Sequence, residues 1–292
     1  MTDMVEYLLW DNCNNNCSFC WQKKMCRPDT HLNEEQMLDS ISKCSASIDT
    51  LGYTDILIVG GEVYCPRETA ITDALGGLFD KIAGRIRGGQ TRYLYVNTNL
   101  IYNDLTVIDR LMQAFDGIED SIKFTTSLDV YGRYSKEEDE NLATGNLVRL
   151  RDRYPKLNIA VNMILTKQFC ELYRSGKKEG GVCLKDIMNG YGVKYVNLIP
   201  YIPVPDDDSM TPSWGQVIAA LVNADKEIPG YLDHYIDDYD LNQNKILYEY
   251  HVGQGYVECT AEYLPCGHNK NFTKATPDGS CYICELKKEF RN

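Results

Sequence analysis

The sequence lacks several features that define whole classes of protein. It contains no apolar run near the roughly 18 residues that a membrane-spanning helix needs, so we expect no membrane segment. Its first residues carry no basic stretch followed by a long apolar one, so we expect no signal peptide and a cytoplasmic protein. It has no internal repeat and no low-complexity tract. With 292 residues, 43% of them apolar and 25% charged, it has the composition of a globular chain of one or two domains.

Positive charge is also scarce. The chain has 30 lysines and arginines against 42 aspartates and glutamates, a net charge of −12. A protein held mainly by phosphate contacts needs the opposite balance, so the composition argues against nucleic acid as a partner. The excess is concentrated in 206–262, where we count 12 acidic residues and 2 lysines. That segment is either a solvated surface or a groove for a basic peptide.

Cysteine, in contrast, is abundant. Twelve cysteines in a chain without a secretion signal favour metal or redox chemistry over a disulfide framework. Seven of them form two tight groups, one near each end of the chain: Cys13, Cys17 and Cys20, then Cys259, Cys266, Cys281 and Cys284.

The first 205 residues alternate between short β-rich runs and amphipathic runs of helix length. Predicted strands lie at 5–10, 55–59, 93–96, 122–128, 158–165 and 195–199, and predicted helices at 33–51, 68–86, 104–115, 138–153, 181–191 and 213–224. Asn33, with Gln36 three residues on, predicts the cap of the first helix, and Asp104 predicts the cap of the third. Near-continuous apolar strands separated by helices indicate a parallel sheet whose strands are apolar and covered on both faces. Because a full barrel has eight such units, six predict an α/β fold built as a partial (β/α)6 TIM-type barrel.

A proline- and aspartate-rich stretch at 201–208 predicts the end of this core. We therefore expect one domain at 1–205. The remaining residues, 206–292, would form an acidic linker or helical segment and a small C-terminal domain that carries the second cysteine group.

The first cysteine group has the spacing C-x3-C-x2-C and directly follows the first predicted strand. Loops at the carboxyl ends of barrel strands build active sites. Three thiolates can hold three irons of a [4Fe–4S] cube and leave the fourth iron open. The alternatives are a zinc knuckle, although structural zinc prefers four ligands, and chance spacing.

Three further motifs end the next three predicted strands: Gly60-Gly61-Glu62, Asn97-Thr98-Asn99 and Ser127-Leu128-Asp129. With the cysteine motif, this order resembles the radical S-adenosylmethionine (radical SAM) enzymes, which carry GGE, TNG and SLDG at these places. The resemblance extends over roughly 200 residues.

The resemblance implies a role for each matching residue. Cys13, Cys17 and Cys20 would ligate the cluster, whose open iron is chelated by SAM. The SAM amino group would be received by Gly60, Gly61 and Glu62.

The rest of SAM would meet residues on the later strands. Adenine would lie near Phe19 and the backbone at Ile199, and Ser127 and Asn162 would contact its ribose or carboxylate. A strand-end cap is the alternative for Ser127, and a structural hydrogen bond for Asn162. Relatives often carry an arginine where this chain has Leu142, so Arg133 is a candidate carboxylate clamp.

The second cysteine group, C-x6-C-x14-C-x2-C, supplies four thiolates, enough to close one cluster. The segment from Cys266-Gly267 to Pro277-Asp278-Gly279 resembles the C-terminal SPASM or Twitch extension of radical SAM enzymes. It implies one auxiliary [4Fe–4S] cluster on Cys259, Cys266, Cys281 and Cys284. Structural zinc on the same thiolates is the alternative.

The resemblance implies an enzyme that reductively cleaves SAM to a 5′-deoxyadenosyl radical. That radical would abstract hydrogen from a peptide or protein side chain, with flavodoxin or ferredoxin as electron donor. Cys65 is a candidate catalytic residue or an ordinary loop cysteine. Modification of a small molecule, nucleotide or tRNA base, and a non-catalytic electron carrier or zinc-stabilised binding module, remain open.

Overall fold

Strands and helices alternate along the computed structural model, which describes residues 4–20, 31–129, 131–174, 182–201, 209–231, 272–275 and 281–282. The strands are β1 Met4–Leu8, β2 Asp55–Val59, β3 Leu94–Thr98, β4 Ile122–Ser127, β5 Asn158–Leu165, β6 Tyr195–Pro200, β7 Phe272–Ala275 and β8 Cys281–Tyr282. The helices are α1 Glu34–Asp49, α2 Thr69–Arg87, α3 Thr106–Ala114, α4 Glu137–Arg153, α5 Lys167–Arg174, α6 Leu184–Tyr191 and α7 Trp214–Glu227, with a short 3₁₀ helix at Glu119–Ser121.

The strands form one sheet in the order β6-β5-β4-β3-β2-β1-β7-β8. Strands β1 to β6 are neighbours in chain order and all their pairings are parallel. The predicted α/β fold with an open, barrel-type parallel sheet is confirmed. Two short strands that the sequence did not predict extend it: β7 pairs parallel with β1, and β8 pairs antiparallel with β7.

The two faces of the sheet differ in polarity. On β4, Phe124 is fully buried, whereas its neighbour Thr125 is partly exposed. On β5, the buried Val161 and Met163 alternate with the partly exposed Asn162. Since successive strand residues point to opposite faces, the helices cover the apolar face and the other face is polar and accessible. The expectation of strands apolar on both faces was therefore wrong for β4 and β5.

The ends of the helices follow local sequence signals. Asn33 caps α1 in a reciprocal pair with Gln36, each side chain accepting a 2.9 Å bond from the other's backbone N–H, as predicted. The helix ends at Asp49, two residues before the predicted end. Asp104 accepts the Thr106 N–H at 2.9 Å, but Leu105 occupies the cap position of α3.

Three further predictions can be compared with the structure. Helix α5 was not predicted, because eight residues carry too few turns for a clear period. In the part of the chain that the structure describes, no helix is both long and apolar enough to cross a bilayer. The predicted boundary at 205/206 lies outside the described residues and stays a prediction.

Candidate functional site

The cysteine motif lies on the loop that follows β1, at the carboxyl edge of the sheet. Cys13, Cys17 and Cys20 are all partly exposed. Asn15, which is buried between them, donates its backbone N–H to the Cys13 sulfur at 3.4 Å and its side-chain N–H to the Cys17 sulfur at 3.2 Å. The Asn-Asn-Asn run therefore curls the loop around its own thiols.

The Gly60-Gly61 turn lies directly against this loop. Gly61 donates its N–H to the Trp10 carbonyl at 2.8 Å. A Cβ on Gly61 would overlap the Asp11 carbonyl and lie 2.5 Å from the Asn12 carbonyl oxygen, and one on Gly60 would lie 2.7 Å from the Trp10 carbonyl oxygen. Glycine is required at both positions because two backbones approach closely, not because of a left-handed φ.

Glu62 is buried beside this turn, with 2% of its surface exposed. One carboxylate oxygen accepts the Tyr64 N–H at 3.0 Å and the Thr98 hydroxyl at 2.9 Å, and the other accepts the Asn99 N–H at 2.6 Å. Burial raises the pKa of this carboxyl to about 7, although these three donors and Arg67 act to lower it. Glu62 therefore joins the turns after β2 and β3 and titrates near neutrality.

The turn after β3 reaches the cysteine loop through Asn99. Its side-chain N–H donates to the Asn14 oxygen at 2.8 Å and lies 3.8 Å from the Cys13 sulfur. The next residue, Leu100, is fully buried with a φ of 57°, the left-handed region. Since glycine tolerates that region best, the structure aligns TNG with Thr98-Asn99-Leu100, one residue later than predicted.

The segment after β4 covers the same loop from the other side. Gly132, at a φ of 82°, accepts the Ser18 N–H at 2.7 Å. Arg133 pairs with the buried carboxylate of Asp129 and lies with one N–H group 3.7 Å from the Cys17 sulfur. The turns that carry the third and fourth motifs thus also contact the cysteine loop.

Phe19, the predicted adenine neighbour, has its ring packed in a small apolar group that has formed between the cysteine loop and the end of β6. It is 8% exposed, and the guanidinium of Arg133 lies 5.1 Å from its ring centre. The other members of the group are Cys17, Ile164, Tyr201 and Met210.

The remaining predicted SAM contacts lie on the accessible face of the sheet. Ser127 and Asn162 are register partners on β4 and β5, and Asn197 of β6 is the next in that row. The Asn197 side chain donates to the Asn162 oxygen at 3.0 Å. Ile199 lies two residues further along β6. No contact of the described chain assigns these residues to a ligand, so their roles stay predictions.

Cys65 lies on the turn after β2, partly buried, with its sulfur 3.8 Å from the Pro66 carbonyl oxygen. Burial, then the nearby charges of Glu62 and Cys13, raise the pKa of its thiol to about 11, with Arg67 opposing. The thiol therefore keeps its proton at neutral pH, as a hydrogen donor would require.

The three thiols fit an iron–sulfur cube better than a single ion. Among the described residues no three His, Cys, Asp or Glu side chains converge as ligands of one metal ion. A cube does not need such convergence, because each cysteine binds a different iron. Burial raises the pKa of the Cys17 thiol to about 11 despite Arg133, so cluster binding must release its proton.

Of the four cysteines in the second group, the structure describes only one. The backbone of Cys281 begins β8, whereas Cys259, Cys266 and Cys284 lie outside the described residues. An auxiliary cluster therefore stays a prediction.

Three contributors to the site were missed from the sequence. Asn14 and Asn15 lie within the cysteine motif but were treated as spacers, and Gly132 carried no signal apart from being a glycine. The asparagine run at 14–16 was the available signal, since this residue both donates and accepts hydrogen bonds in tight loops.

Comparisons with known proteins bear on the fold. No protein-family model and no curated protein matches the chain. Two solved structures of native anSMEcpe each match 97% of this chain. The one with bound AdoMet and Kp18Cys peptide has 15% sequence identity and a TM-score of 0.53, and 74% of that chain is covered. The one with bound AdoMet alone has 14% sequence identity and a TM-score of 0.53, and 75% of that chain is covered. The hexahistidine-tagged form with AdoMet matches at 14% identity, TM-score 0.51, covering 97% of this chain and 74% of that one. AdoMet is SAM, and anSMEcpe is an anaerobic sulfatase-maturating enzyme of the radical SAM class. The chain therefore shares its fold with these anSMEcpe structures.

Proposed function

We propose that this chain is a radical SAM enzyme that modifies a side chain of a peptide or protein in the cytoplasm. The observation that carries the proposal is the convergence of three motif-bearing turns on the cysteine loop. The turns after β2, β3 and β4 each contact the loop after β1 through direct hydrogen bonds. A carrier or zinc module would need the cysteines but not the other three turns.

Cys13, Cys17 and Cys20 would hold a [4Fe–4S] cluster, and Cys259, Cys266, Cys281 and Cys284 an auxiliary one. When bound and given an electron from a flavodoxin- or ferredoxin-type donor, the first cluster and SAM would supply a 5′-deoxyadenosyl radical for hydrogen abstraction from substrate. The N–H groups of Asn15 and Asn99 orient the thiols for this cluster.

Glu62 would hold the amino group of SAM. Its carboxylate lies on the turn that contacts the cysteine loop, and its three donors keep it fixed. Burial raises the pKa of this carboxyl, and the positive charge of an ammonium group beside it would favour the ionised carboxylate. Ser127, Asn162 and Ile199 would receive the ribose and adenine along β4 to β6, with Phe19 packing nearby.

A peptide substrate is supported by the accessible polar face of the sheet and by the composition of the chain. Thr125 and Asn197 offer side-chain hydrogen bonds on that face. The acidic segment 206–262 favours a basic peptide. The anSMEcpe structure with a bound Kp18Cys peptide adds support from a protein of the same fold.

The first test is SAM cleavage. The protein is loaded with iron and sulfide without oxygen, reduced and incubated with SAM, and 5′-deoxyadenosine is measured by chromatography. We expect the nucleoside from the wild-type chain and none from a variant with Cys13, Cys17 and Cys20 changed to Ala. Equal yields from the two proteins would contradict the proposal.

The second test concerns substrate class. Basic and acidic peptide pools are incubated with the reduced enzyme and SAM, and mass spectrometry records any mass change. We expect modified peptides and faster 5′-deoxyadenosine formation with the basic pool. Stimulation by nucleosides or tRNA, with none by peptides, would favour the small-molecule or nucleotide alternative.

A further inference from the structure

Arg133 is fixed in one position by contacts on several sides. Its Nε donates to the carboxylate of Asp129, whose side chain is 3% exposed, and its own side chain is 12% exposed. The guanidinium carbon lies 5.1 Å from the ring centre of Phe19. The Asn15 side chain also donates to the Arg133 carbonyl at 3.0 Å. The guanidinium therefore has little freedom to leave this place.

In that position the guanidinium faces a cluster cysteine. Its Nη1 lies 3.7 Å from the sulfur of Cys17, which also accepts the Asn15 side-chain N–H at 3.2 Å. The other donors described above, on Asn15 and Asn99, are neutral amides. A charged donor to an anionic acceptor is roughly twice as strong as a neutral one. Cys17 thus receives a cationic contact that the amides cannot replace.

A fixed positive charge beside a cluster thiolate has a predictable effect. The reduction potential of an iron–sulfur cluster depends on net charge, hydrogen bonds to the sulfurs and solvent exposure. Reduction adds one negative charge, so a neighbouring cation stabilises the reduced form. Because the Arg133 side chain is only 12% exposed, solvent screens its charge less than it would on the surface.

We propose that Arg133 tunes the reduction potential of the cluster. It holds its positive charge at the Cys17 thiolate and makes the cluster easier to reduce. Asp129 fixes the guanidinium and partly offsets its charge. The proposal rests on the proposed function, since it needs a cluster on Cys13, Cys17 and Cys20. It differs from the carboxylate-clamp interpretation of Arg133, because it requires an effect before SAM binds.

The test is a redox titration of the iron-loaded protein without SAM, followed by electron paramagnetic resonance. The signal used is the one absent from the variant in which Cys13, Cys17 and Cys20 are Ala. We expect Arg133→Gln to lower the reduced-to-oxidised ratio at a fixed potential by about tenfold, a shift of about 59 mV for one electron. We expect Asp129→Asn to raise that ratio.

Opposite signs separate this role from a structural one, which would disturb the site in the same direction in both variants. Arg133→Lys keeps the charge and should retain a ratio close to wild type. Arg153→Gln is the matched control: it removes the same charge from an ion pair with Asp109 on the outer helices, where the arginine is 55% exposed. We expect no shift from it.

The outcomes are distinct. Opposite shifts in Arg133→Gln and Asp129→Asn, with iron content unchanged, support the proposal. An unchanged potential in Arg133→Gln overturns it, and weaker SAM binding by that same variant would then favour the clamp. Arg133→Gln could lose its iron, and the other two variants then decide. A wild-type reduced-to-oxidised ratio in Arg133→Lys, together with a raised ratio in Asp129→Asn, still supports the proposal. Any other pair of results overturns the proposal. Absence of a reducible cluster from the wild-type protein overturns the proposed function and this inference together.

Discussion

The carboxylate of Glu62, on the turn after β2, accepts a 2.6 Å hydrogen bond from the backbone N–H of Asn99, on the turn after β3. Asn99 in turn contacts Asn14 and the sulfur of Cys13. A change in the charge of Glu62 is therefore two hydrogen-bonded steps from the cysteine loop. If Glu62 holds the amino group of SAM as proposed, this link would connect SAM binding to the order of the cysteine loop.

The first prediction concerns pH. Because burial raises the pKa of the Glu62 carboxyl to about 7, the carboxyl is mostly protonated below that pH and ionised above it. Only the ionised form attracts the ammonium group of SAM. We expect the affinity for SAM to rise about tenfold from pH 5.5 to 7.5, since one decade is about 1.4 kcal/mol and a charge-assisted bond contributes about 1.5–3 kcal/mol.

The control is Glu62→Gln, which keeps the shape but cannot ionise. Calorimetric titration of the iron-loaded variant with SAM should give weaker binding at pH 7.5 and no rise across this range. The same pH profile in both proteins would show that Glu62 does not receive the amino group.

The second prediction compares two glycines. Gly61→Ala places a methyl group against the backbone carbonyls of Asp11 and Asn12, which cannot yield without moving the cysteine loop. We expect a loss of about 1–3 kcal/mol in the free energy of unfolding and lower iron content. Gly77→Ala, in α2 with open space around its Cβ, should instead gain about 0.5–1 kcal/mol. Denaturant titrations and iron assays check both, and normal iron loading of Gly61→Ala would contradict the close approach.

The third prediction concerns Leu100, buried at a φ of 57°. Both Leu100→Ala and Leu100→Gly remove a buried side chain, at a cost of about 2–5 kcal/mol in the free energy of unfolding. Glycine additionally escapes the left-handed penalty of roughly 1–2 kcal/mol. We therefore expect the Gly variant to be more stable than the Ala variant, the reverse of the order in a helix. The midpoints of urea unfolding of the two variants test this order. A more stable Ala variant would argue against the left-handed turn.

The fourth prediction is iron content. If both cysteine groups carry four-iron cubes, anaerobic loading should give about eight irons per chain, measured by plasma mass spectrometry. Changing Cys13, Cys17 and Cys20 together to Ala should leave about four. Zinc in the purified protein with about four irons would instead assign the C-terminal thiolates to a structural metal.

The sequence was most informative where local patterns decide structure. The bounds of β5 and the capping pair of Asn33 with Gln36 were predicted as they are found, because periodicity and capping depend on neighbouring residues. The turn motifs were identified by resemblance, and their convergence follows from parallel strands sharing one carboxyl edge.

The rest depends on contacts between residues far apart in the chain. The Arg133–Cys17 approach joins residues 116 apart, and the pairing of β7 with β1 joins strands about 270 apart. No periodic pattern reports such pairs. The four-residue β7 is also too short to give a recognisable strand pattern in an otherwise polar segment.

That pairing of β7 with β1 has a practical consequence for shortened forms of the chain. Met4 to Tyr7 of β1 hydrogen-bond in register with Phe272 to Ala275, so the strand that leads into the cysteine loop is an interior strand of the sheet. Removing the residues from 272 onward would turn β1 into an uncovered edge with unpaired backbone N–H and C=O groups. Such edges recruit strands from other molecules. Chains cut before residue 272 should therefore self-associate as their concentration rises.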